Sequence, residues 1–130
     1  MTDKLRRVAV YGSLREGHGN WKHLLNRKPT EVTTMSNFKM YSLGGFPGIL
    51  PSDDVKDSIT VEIYDCDESD MRRLDSLEGY SPDNLEYSMY RRERVEDKDC
   101  DVYIWNGREL SEERRVSSGD WTRYLNNRRY

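Results

Sequence analysis

The segment SITVEIYDC, residues 58–66, constrains the fold of this chain more than any other stretch. Apolar β-branched side chains occupy every second position, at Ile59, Val61 and Ile63. An alternation with a period of two is typical of a β-strand that packs one face against a core. We therefore predict a strand here, with these three side chains facing the same way.

The residues that follow this strand, DESDMRRLDSLEGY, have the period of a helix. Asp67 or Ser69 can cap its start, and Gly79 is placed to end it in a left-handed conformation. The apolar side chains that this helix is expected to bury are Met71, Leu74 and Leu77.

The rest of the chain is rich in short strands and poor in helices, which favours the α+β class with a curved or barrel-like mixed sheet. We predict strands in RRVAVY, EVTTMS, FKMYSL, SMYRRERVE and DVYIWN, and a loop in GGFPGIL. Short helices are predicted in NWKHLLNR, capped by Asn20, and in SSGDWTRYLNN, where Trp121 is expected to anchor the core.

The composition limits the classes to which this protein can belong. Its 130 residues predict one domain, residues 1–130. Although 35% of the residues are charged, nine Tyr, three Trp and two Phe argue against disorder. The net charge of −3 gives no general reason to expect a nucleic-acid partner, and the arginine-rich end, RYLNNRRY, is expected to be solvated.

Apolar runs and cysteines indicate the compartment. No run approaches the ~20 apolar residues that span a bilayer, and no signal-peptide core follows Met1. Cys66 and Cys100 are too few for a disulfide framework and lack metal-ligand spacing, which predicts free thiols and no metal. We expect a cytoplasmic protein without a membrane partner, and a monomer is the default.

Glu78 occupies an unfavourable place for a carboxylate, in the last turn of the predicted helix. That end of a helix carries partial negative charge, which disfavours an anion by roughly 0.3–1 kcal/mol. Leu77 and Tyr80 flank it, so apolar surroundings are also expected. Both effects raise the pKa of a carboxyl group toward the range that suits general acid–base catalysis. The alternative is an exposed glutamate without a function.

The segment YGSLREG, residues 11–17, follows the first predicted strand. Its glycines allow conformations that direct successive backbone N–H groups at one anion, and Ser13 adds a hydroxyl donor. A simple turn is the alternative. The Gly-Lys-Ser/Thr ending of a P-loop, the three-glycine dinucleotide spacing and a Gly-x-Ser-x-Gly elbow are all absent, which disfavours a phosphate site and a nucleophilic serine.

Several motifs together resemble one family. YGSLREG, GGFPGIL, LDSLEGY with YRRERVE, VYIWN and SSGDW come in the order found in the gamma-glutamylcyclotransferase-like superfamily. The chain resembles most the branch with gamma-glutamylamine cyclotransferase and the plant avirulence-induced-gene proteins, from Val8 to about Trp121. The resemblance implies a small mixed β-barrel flanked by short helices, with a cavity at one mouth.

The resemblance also implies a reaction that needs no cofactor. Glu78 falls on the catalytic position of the family. The substrate, a small gamma-glutamyl amine or gamma-glutamyl amino acid, would attack its own γ-carbonyl with its α-amine, release 5-oxoproline and use Glu78 to move the proton. The substrate-binding residues implied are Tyr11, Gly12, Ser13, Leu14, Phe46, Tyr90 and Tyr103.

The alternative hypothesis is that the protein has the same fold but is not an enzyme. In it, the same cavity binds a small ligand or another protein. The sequence fixes neither the leaving group nor the choice between the two hypotheses.

Overall fold

The structure is a computed structural model that describes residues 5–107 and 109–127. Within these ranges the chain forms seven strands and three α-helices, joined by loops and short 3₁₀ turns. In chain order these are β1 (Arg6–Val10), α1 (Gly19–Leu24), β2 (Glu31–Ser36), β3 (Phe38–Ser42), β4 (Pro47–Pro51), β5 (Ser58–Cys66), α2 (Glu68–Leu77), β6 (Tyr90–Val95), β7 (Cys100–Trp105) and α3 (Trp121–Asn127).

Five of the strands form one mixed sheet in the order β2-β5-β1-β7-β6. Its neighbouring pairs are antiparallel except for β1 and β7, which are parallel. β3 and β4 form a separate antiparallel pair. The α+β class is confirmed. The two sheets are not joined into a closed barrel within the described residues, so this detail of the prediction is not confirmed.

The large sheet is buried on both faces. Ile59, Val61 and Ile63 are 0% exposed and share one core with Trp121, as predicted. The opposite face packs a second apolar cluster that includes Leu74 of α2. Because β1 and β5 lie at the centre of this sandwich of sheet and helices, the ends of these strands emerge close to α1 and α2.

The segment GGFPGIL was predicted to be a loop, and this is wrong for its second half. Pro47–Pro51 forms β4, paired with β3. Prolines occupy the first and last positions of the strand, where a missing N–H is tolerated, and Gly48 and Ile49 are buried between them. The strand has only five residues, too few for an alternation of apolar and polar side chains to predict it.

The predicted cap of α1 is also wrong. His18 is the N-cap residue, without a side-chain capping bond, and Asn20 lies inside the helix. The Asn20 side chain donates instead to Oγ of Ser13 at 2.7 Å, so it holds the glycine loop rather than its own helix.

Cys66 and Cys100 are free thiols, as predicted, and each is 0% exposed. Burial raises the pKa of Cys66 to about 12 and that of Cys100 to about 11, so both are protonated at neutral pH.

The described helices are too short to span a bilayer. The arginine-rich end was predicted to be solvated, and its residues 128–130 lie outside the described residues.

Candidate functional site

The end of α2 places Glu78 by backbone geometry. α2 begins with a capping box between Asp67 and Asp70, and Glu78 is its C-cap residue. The N–H of Gly79 donates to the carbonyl of Ser76 at 3.2 Å, and the N–H of Tyr80 donates to that of Asp75 at 2.9 Å. With Gly79 at φ 64°, these two bonds form a Schellman motif. Of the two predicted caps, Asp67 is the one that is confirmed, and the predicted stop at Gly79 is confirmed as well.

The Glu78 carboxyl group is half-buried and titrates unusually. Burial raises its pKa from 4.5 to about 7. No hydrogen bond from the described part of the chain reaches the carboxylate to offset this desolvation. The group therefore exists in both protonation states near neutral pH, which suits a general acid–base catalyst.

The glycine loop, residues 11–17, is held by two ion pairs of Arg15, one buried and one half-buried. Nε of Arg15 lies 3.0 Å from Oε2 of Glu62, and its Nη1 lies 2.7 Å from Oδ1 of Asp120. The other Glu62 oxygen accepts from the N–H of Glu16 at 2.7 Å and from the Tyr64 hydroxyl at 2.9 Å. The loop is therefore attached to β5 and to the start of α3 rather than free to move.

The same loop presents unused donors. Among the described residues, no acceptor takes a hydrogen bond from the backbone N–H of Gly12, Ser13 or Leu14. The Ser13 hydroxyl accepts from Asn20, so its own hydrogen is available as well. Successive free N–H groups are the arrangement that binds anions in backbone nests.

Glu78 and the glycine loop line one cavity of about 280 Å³. The remaining walls come from the turn before β4, the start of β6 and α1. The lining residues are Tyr11, Gly12, Ser13, Asn20, Phe46, Pro47, Leu77, Glu78, Met89 and Tyr90. Six of the residues suggested by the sequence therefore lie together: Tyr11, Gly12, Ser13, Phe46, Glu78 and Tyr90.

The hydroxyl hydrogens of the two tyrosines in the cavity are already used in hydrogen bonds. Tyr11 donates to the carbonyl of Tyr103, and Tyr90 donates to the carbonyl of Pro47, each at 2.6 Å. Burial raises the pKa of both phenols, and the nearby Glu78 charge adds to it, so both stay neutral. The Tyr11 oxygen also takes a backbone hydrogen bond from Ile49, so the Tyr90 oxygen is the freer acceptor for a ligand N–H, and neither hydroxyl has a second hydrogen to give.

Leu14 and Tyr103 do not line the cavity. The Leu14 side chain is 3% exposed and packs in the core cluster beneath the loop. The Tyr103 side chain points to α2, where its hydroxyl meets Asp75, and only its backbone carbonyl supports the cavity through Tyr11.

Four lining residues were not suggested as site residues: Asn20, Pro47, Leu77 and Met89. Leu77 was expected to be buried, and it is 41% exposed, because the last turn of α2 opens onto the cavity. Its position directly before Glu78 was the available signal. Met89 had only its place next to Tyr90, which is too weak a pattern to identify it.

A larger cavity, of about 760 Å³, lies elsewhere and contains none of the suggested site residues. Its arginines pair with its carboxylates: Arg6 and Arg92 with Asp101, and Arg92 with Asp75. Among the described residues, no three His, Cys, Asp or Glu side chains gather into a group that could hold a metal ion.

This mixed α+β fold is shared with a solved structure of an AIG2-like protein, which defines the class of the chain. The chain belongs to the family described as "Gamma-glutamyl cyclotransferase, AIG2-like", whose model matches residues 8–123.

Relatives support this assignment. The gamma-glutamylcyclotransferase family protein YtfP of Escherichia coli is 27% identical over 117 residues, which cover 88% of this chain and 95% of that protein. An AIG2-like protein of Mus musculus has a similar structure, with a TM-score of 0.63, 25% identity and coverage of 90% and 88%. A Pyrococcus horikoshii protein shares the fold, with a TM-score of 0.70, 19% identity and coverage of 96% and 98%.

Proposed function

We propose that this protein is a gamma-glutamyl cyclotransferase that releases 5-oxoproline from a gamma-glutamyl amine or gamma-glutamyl amino acid. One observation carries the proposal: Glu78, with a pKa raised to about 7, shares a cavity of about 280 Å³ with the unpaired N–H groups of Gly12 and Ser13. Membership of the family supports a cyclotransferase-like activity, and this pairing suggests how the residues perform it.

The polar groups of the cavity match the head of a gamma-glutamyl substrate. Its α-ammonium needs acceptors, and the Glu78 carboxylate and the Tyr90 oxygen are acceptors. Its carboxylate and its carbonyl oxygen need donors, and the N–H groups of Gly12 and Ser13 are donors. These acceptors and donors line the same cavity and would together hold the substrate in its folded conformation. Such ordering can lower the barrier by ~7–11 kcal/mol.

In the proposed reaction the carboxylate of Glu78 takes a proton from the substrate ammonium. The freed α-nitrogen attacks the γ-carbonyl carbon and closes a five-membered ring. The loop N–H groups stabilise the oxyanion that forms. The bond from that carbon to the amide nitrogen then breaks, and Glu78 returns its proton to the leaving nitrogen. The ring nitrogen loses its second proton through Glu78 to the released amine, so the products are 5-oxoproline and an ammonium ion, with no net change in protons.

The test is an assay of 5-oxoproline from a panel of gamma-glutamyl amines and amino acids. Glu78→Gln should lower turnover by a factor of ~10²–10⁴ and leave the circular dichroism spectrum unchanged. Glu113→Gln, on an exposed residue of the 3₁₀ turn Glu112–Arg114 outside the cavity, is the matched control and should keep wild-type turnover. Normal turnover in Glu78→Gln contradicts the proposal. A silent panel, with a tight ligand found by thermal shift, favours a binding module instead.

We further propose that the protein acts as a cytoplasmic monomer on this small substrate, without nucleic acid or membrane. The buried free thiols of Cys66 and Cys100 are consistent with a reducing compartment.

A further inference from the structure

We propose that the leaving group of the substrate is an apolar amine that carries no carboxylate. This inference rests on the proposed function and names the half of the substrate that the reaction itself leaves open.

The cavity opens to solvent between apolar side chains. Phe46, Leu77 and Met89 line it and are 40%, 41% and 47% exposed. We call these three residues the apolar mouth. Exposed large apolar side chains are usually scattered singly, and a group of them around one opening marks a surface that meets an apolar ligand.

The apolar mouth lies beside the acid–base group. Leu77 directly precedes Glu78, and the N–H of Met89 donates to the carbonyl of Gly79 at 2.9 Å. A Cβ atom on Gly79 would stand 3.3 Å from Cβ of Met89. In the proposed reaction Glu78 protonates the leaving nitrogen. The substituent on that nitrogen therefore lies against Leu77 and Met89.

The charges around the opening exclude an acidic leaving group. Glu78 is the one charged side chain among the described residues that line the cavity, and neither Lys nor Arg is among them. The charged residues between Glu78 and Met89 are Asp83 and Glu86, both acidic and exposed. A carboxylate on the leaving group would meet apolar side chains and no cation in the lining, and it would be repelled by like charges, which costs affinity. Amino acids and peptides released from the γ-carbonyl carry such a carboxylate.

Two more exposed apolar residues lie in the segment just before Met89. Leu85 and Tyr87, in the 3₁₀ segment Pro82–Tyr87, are 50% and 78% exposed. Asn106 holds this segment in place, since its side chain donates to the carbonyl of Leu85 at 2.8 Å and to that of Ser88 at 3.0 Å.

The test compares substrates that differ only in the carboxylate. The gamma-glutamyl amide of phenethylamine is paired with gamma-glutamyl-phenylalanine, and that of isoamylamine with gamma-glutamyl-leucine. We expect kcat/KM for 5-oxoproline release to be at least ~10-fold higher for the amine in each pair. The isoamyl and phenethyl amides should also exceed the ethylamide, since a methylene in an apolar pocket is worth ~10-fold or more.

Substitutions in the apolar mouth test whether the leaving group binds there. Met89→Arg places a cation at the opening and should reduce the preference within each pair by ~10-fold. Val55→Arg, on a residue 67% exposed outside the cavity, should leave the preference unchanged. Leu77→Ala should lower kcat/KM for the phenethylamide relative to the ethylamide, and it tests the same wall if Met89→Arg does not fold.

Failure of the inference and failure of the proposed function give different results. Release of 5-oxoproline with equal or higher kcat/KM for the amino-acid member of each pair overturns the leaving-group assignment alone. A preference for the gamma-glutamyl derivative of a diamine, whose free end is an ammonium, also overturns it. Silence toward every compound, the ethylamide included, overturns the proposed function and the assignment together.

Discussion

The hydroxyl of Tyr103 donates a hydrogen bond to Oδ1 of Asp75 at 2.6 Å, one helical turn before Glu78. The backbone carbonyl of the same Tyr103 accepts the Tyr11 hydroxyl, also at 2.6 Å. One residue of β7 therefore joins two segments that both line the cavity, the end of α2 and the glycine loop. The sequence suggested Tyr103 as a pocket residue, and the geometry instead gives it contacts through which it can position others.

Arg92 adds a second attachment to the end of α2. Its Nη1 lies 2.7 Å from Oδ1 of Asp75, and its guanidinium lies 5.4 Å from the centre of the Tyr80 ring. The chain is thus held on both sides of Glu78, by an ion pair before it and by a cation–π contact after it.

Removing the Tyr103 hydroxyl should weaken positioning without removing any group from the cavity. Tyr103→Phe keeps the backbone carbonyl that holds Tyr11 and keeps the pair between Arg92 and Asp75. We expect the free energy of unfolding to fall by about 1 kcal/mol. We expect kcat for 5-oxoproline release to fall several-fold with KM nearly unchanged, because Glu78 is misplaced and the loop donors are not. Urea unfolding and steady-state kinetics measure the two effects.

Tyr41→Phe is the matched control for this variant. The Tyr41 hydroxyl lies 3.4 Å from Oε1 of Glu112, away from α2 and the glycine loop. Its loss should leave kcat unchanged. Equal losses of kcat in the two variants, or a rise in KM alone for Tyr103→Phe, would show that Tyr103 does not position Glu78.

The activity should depend on pH through Glu78. The proposed base must be ionised to take the substrate proton, and burial raises the pKa of Glu78 to about 7. We therefore expect kcat/KM to rise with pH and to level off above about 7. A series of initial rates across neutral pH measures the profile. A profile that is flat through neutrality, or that falls there, assigns the proton transfer to another group.

The same shift in pKa predicts an effect on stability. The carboxyl pKa is 4.5 ordinarily and about 7 in the folded protein, so the native state holds a proton that the unfolded chain has released between these values. The free energy of unfolding therefore falls as pH rises through this window, and ionised Glu78 is unfavourable to the fold above it. Glu78→Gln should be more stable than wild type at about pH 8, by up to about 3 kcal/mol.

That difference should shrink as the pH is lowered toward 4.5, where both states bind the proton. Thermal unfolding of the two proteins at several pH values measures it. A Gln variant that is less stable than wild type at high pH would mean that the Glu78 carboxylate is well solvated or paired.

Local patterns in the sequence predicted the elements that position Glu78. The alternation in residues 58–66 predicted β5. Asp67 was one of the two caps predicted for α2, and Gly79 was its predicted stop, because capping and left-handed stops depend on adjacent residues. The pKa shift of Glu78 was predicted in direction from its neighbours in the chain. Two causes were predicted for it, the partial negative charge at the end of the helix and apolar surroundings. In the structure the cause is burial, which corresponds to the second.

Contacts between distant segments could not be read from the sequence. Asn20 meets Ser13 across a turn, and Tyr103 meets Asp75 across 28 positions. A polar residue gives no sign of which distant partner it will meet, so Asn20 was expected to cap its own helix. Leu77 was expected to be buried for a similar reason, since periodicity shows the apolar side of a helix and not where the covering layer ends.

Gly12 is the position at which a single methyl group should test the cavity itself. A Cβ atom there would lie 2.9 Å from both Cγ and Cδ of the Pro47 ring. That ring is at the start of β4, and the Pro47 carbonyl is bound by Tyr90, so it cannot easily move away. Gly12→Ala should therefore displace the loop and its N–H donors. Misplacement by about 1 Å can cost ~100-fold in rate, and we expect a fall in kcat/KM of that order.

Gly19→Ala is the control for this substitution, because a Cβ atom on Gly19 meets no atom within 4 Å. Gly19 lies in the first turn of α1, where alanine is the better helix former, so this variant should be as stable as wild type or slightly more stable. Its kcat/KM should be unchanged, although it lies next to Asn20. If Gly12→Ala kept full activity while remaining folded, the N–H groups of the loop would have no part in holding the substrate. The donors for the substrate carboxylate would then have to be sought elsewhere on the cavity wall.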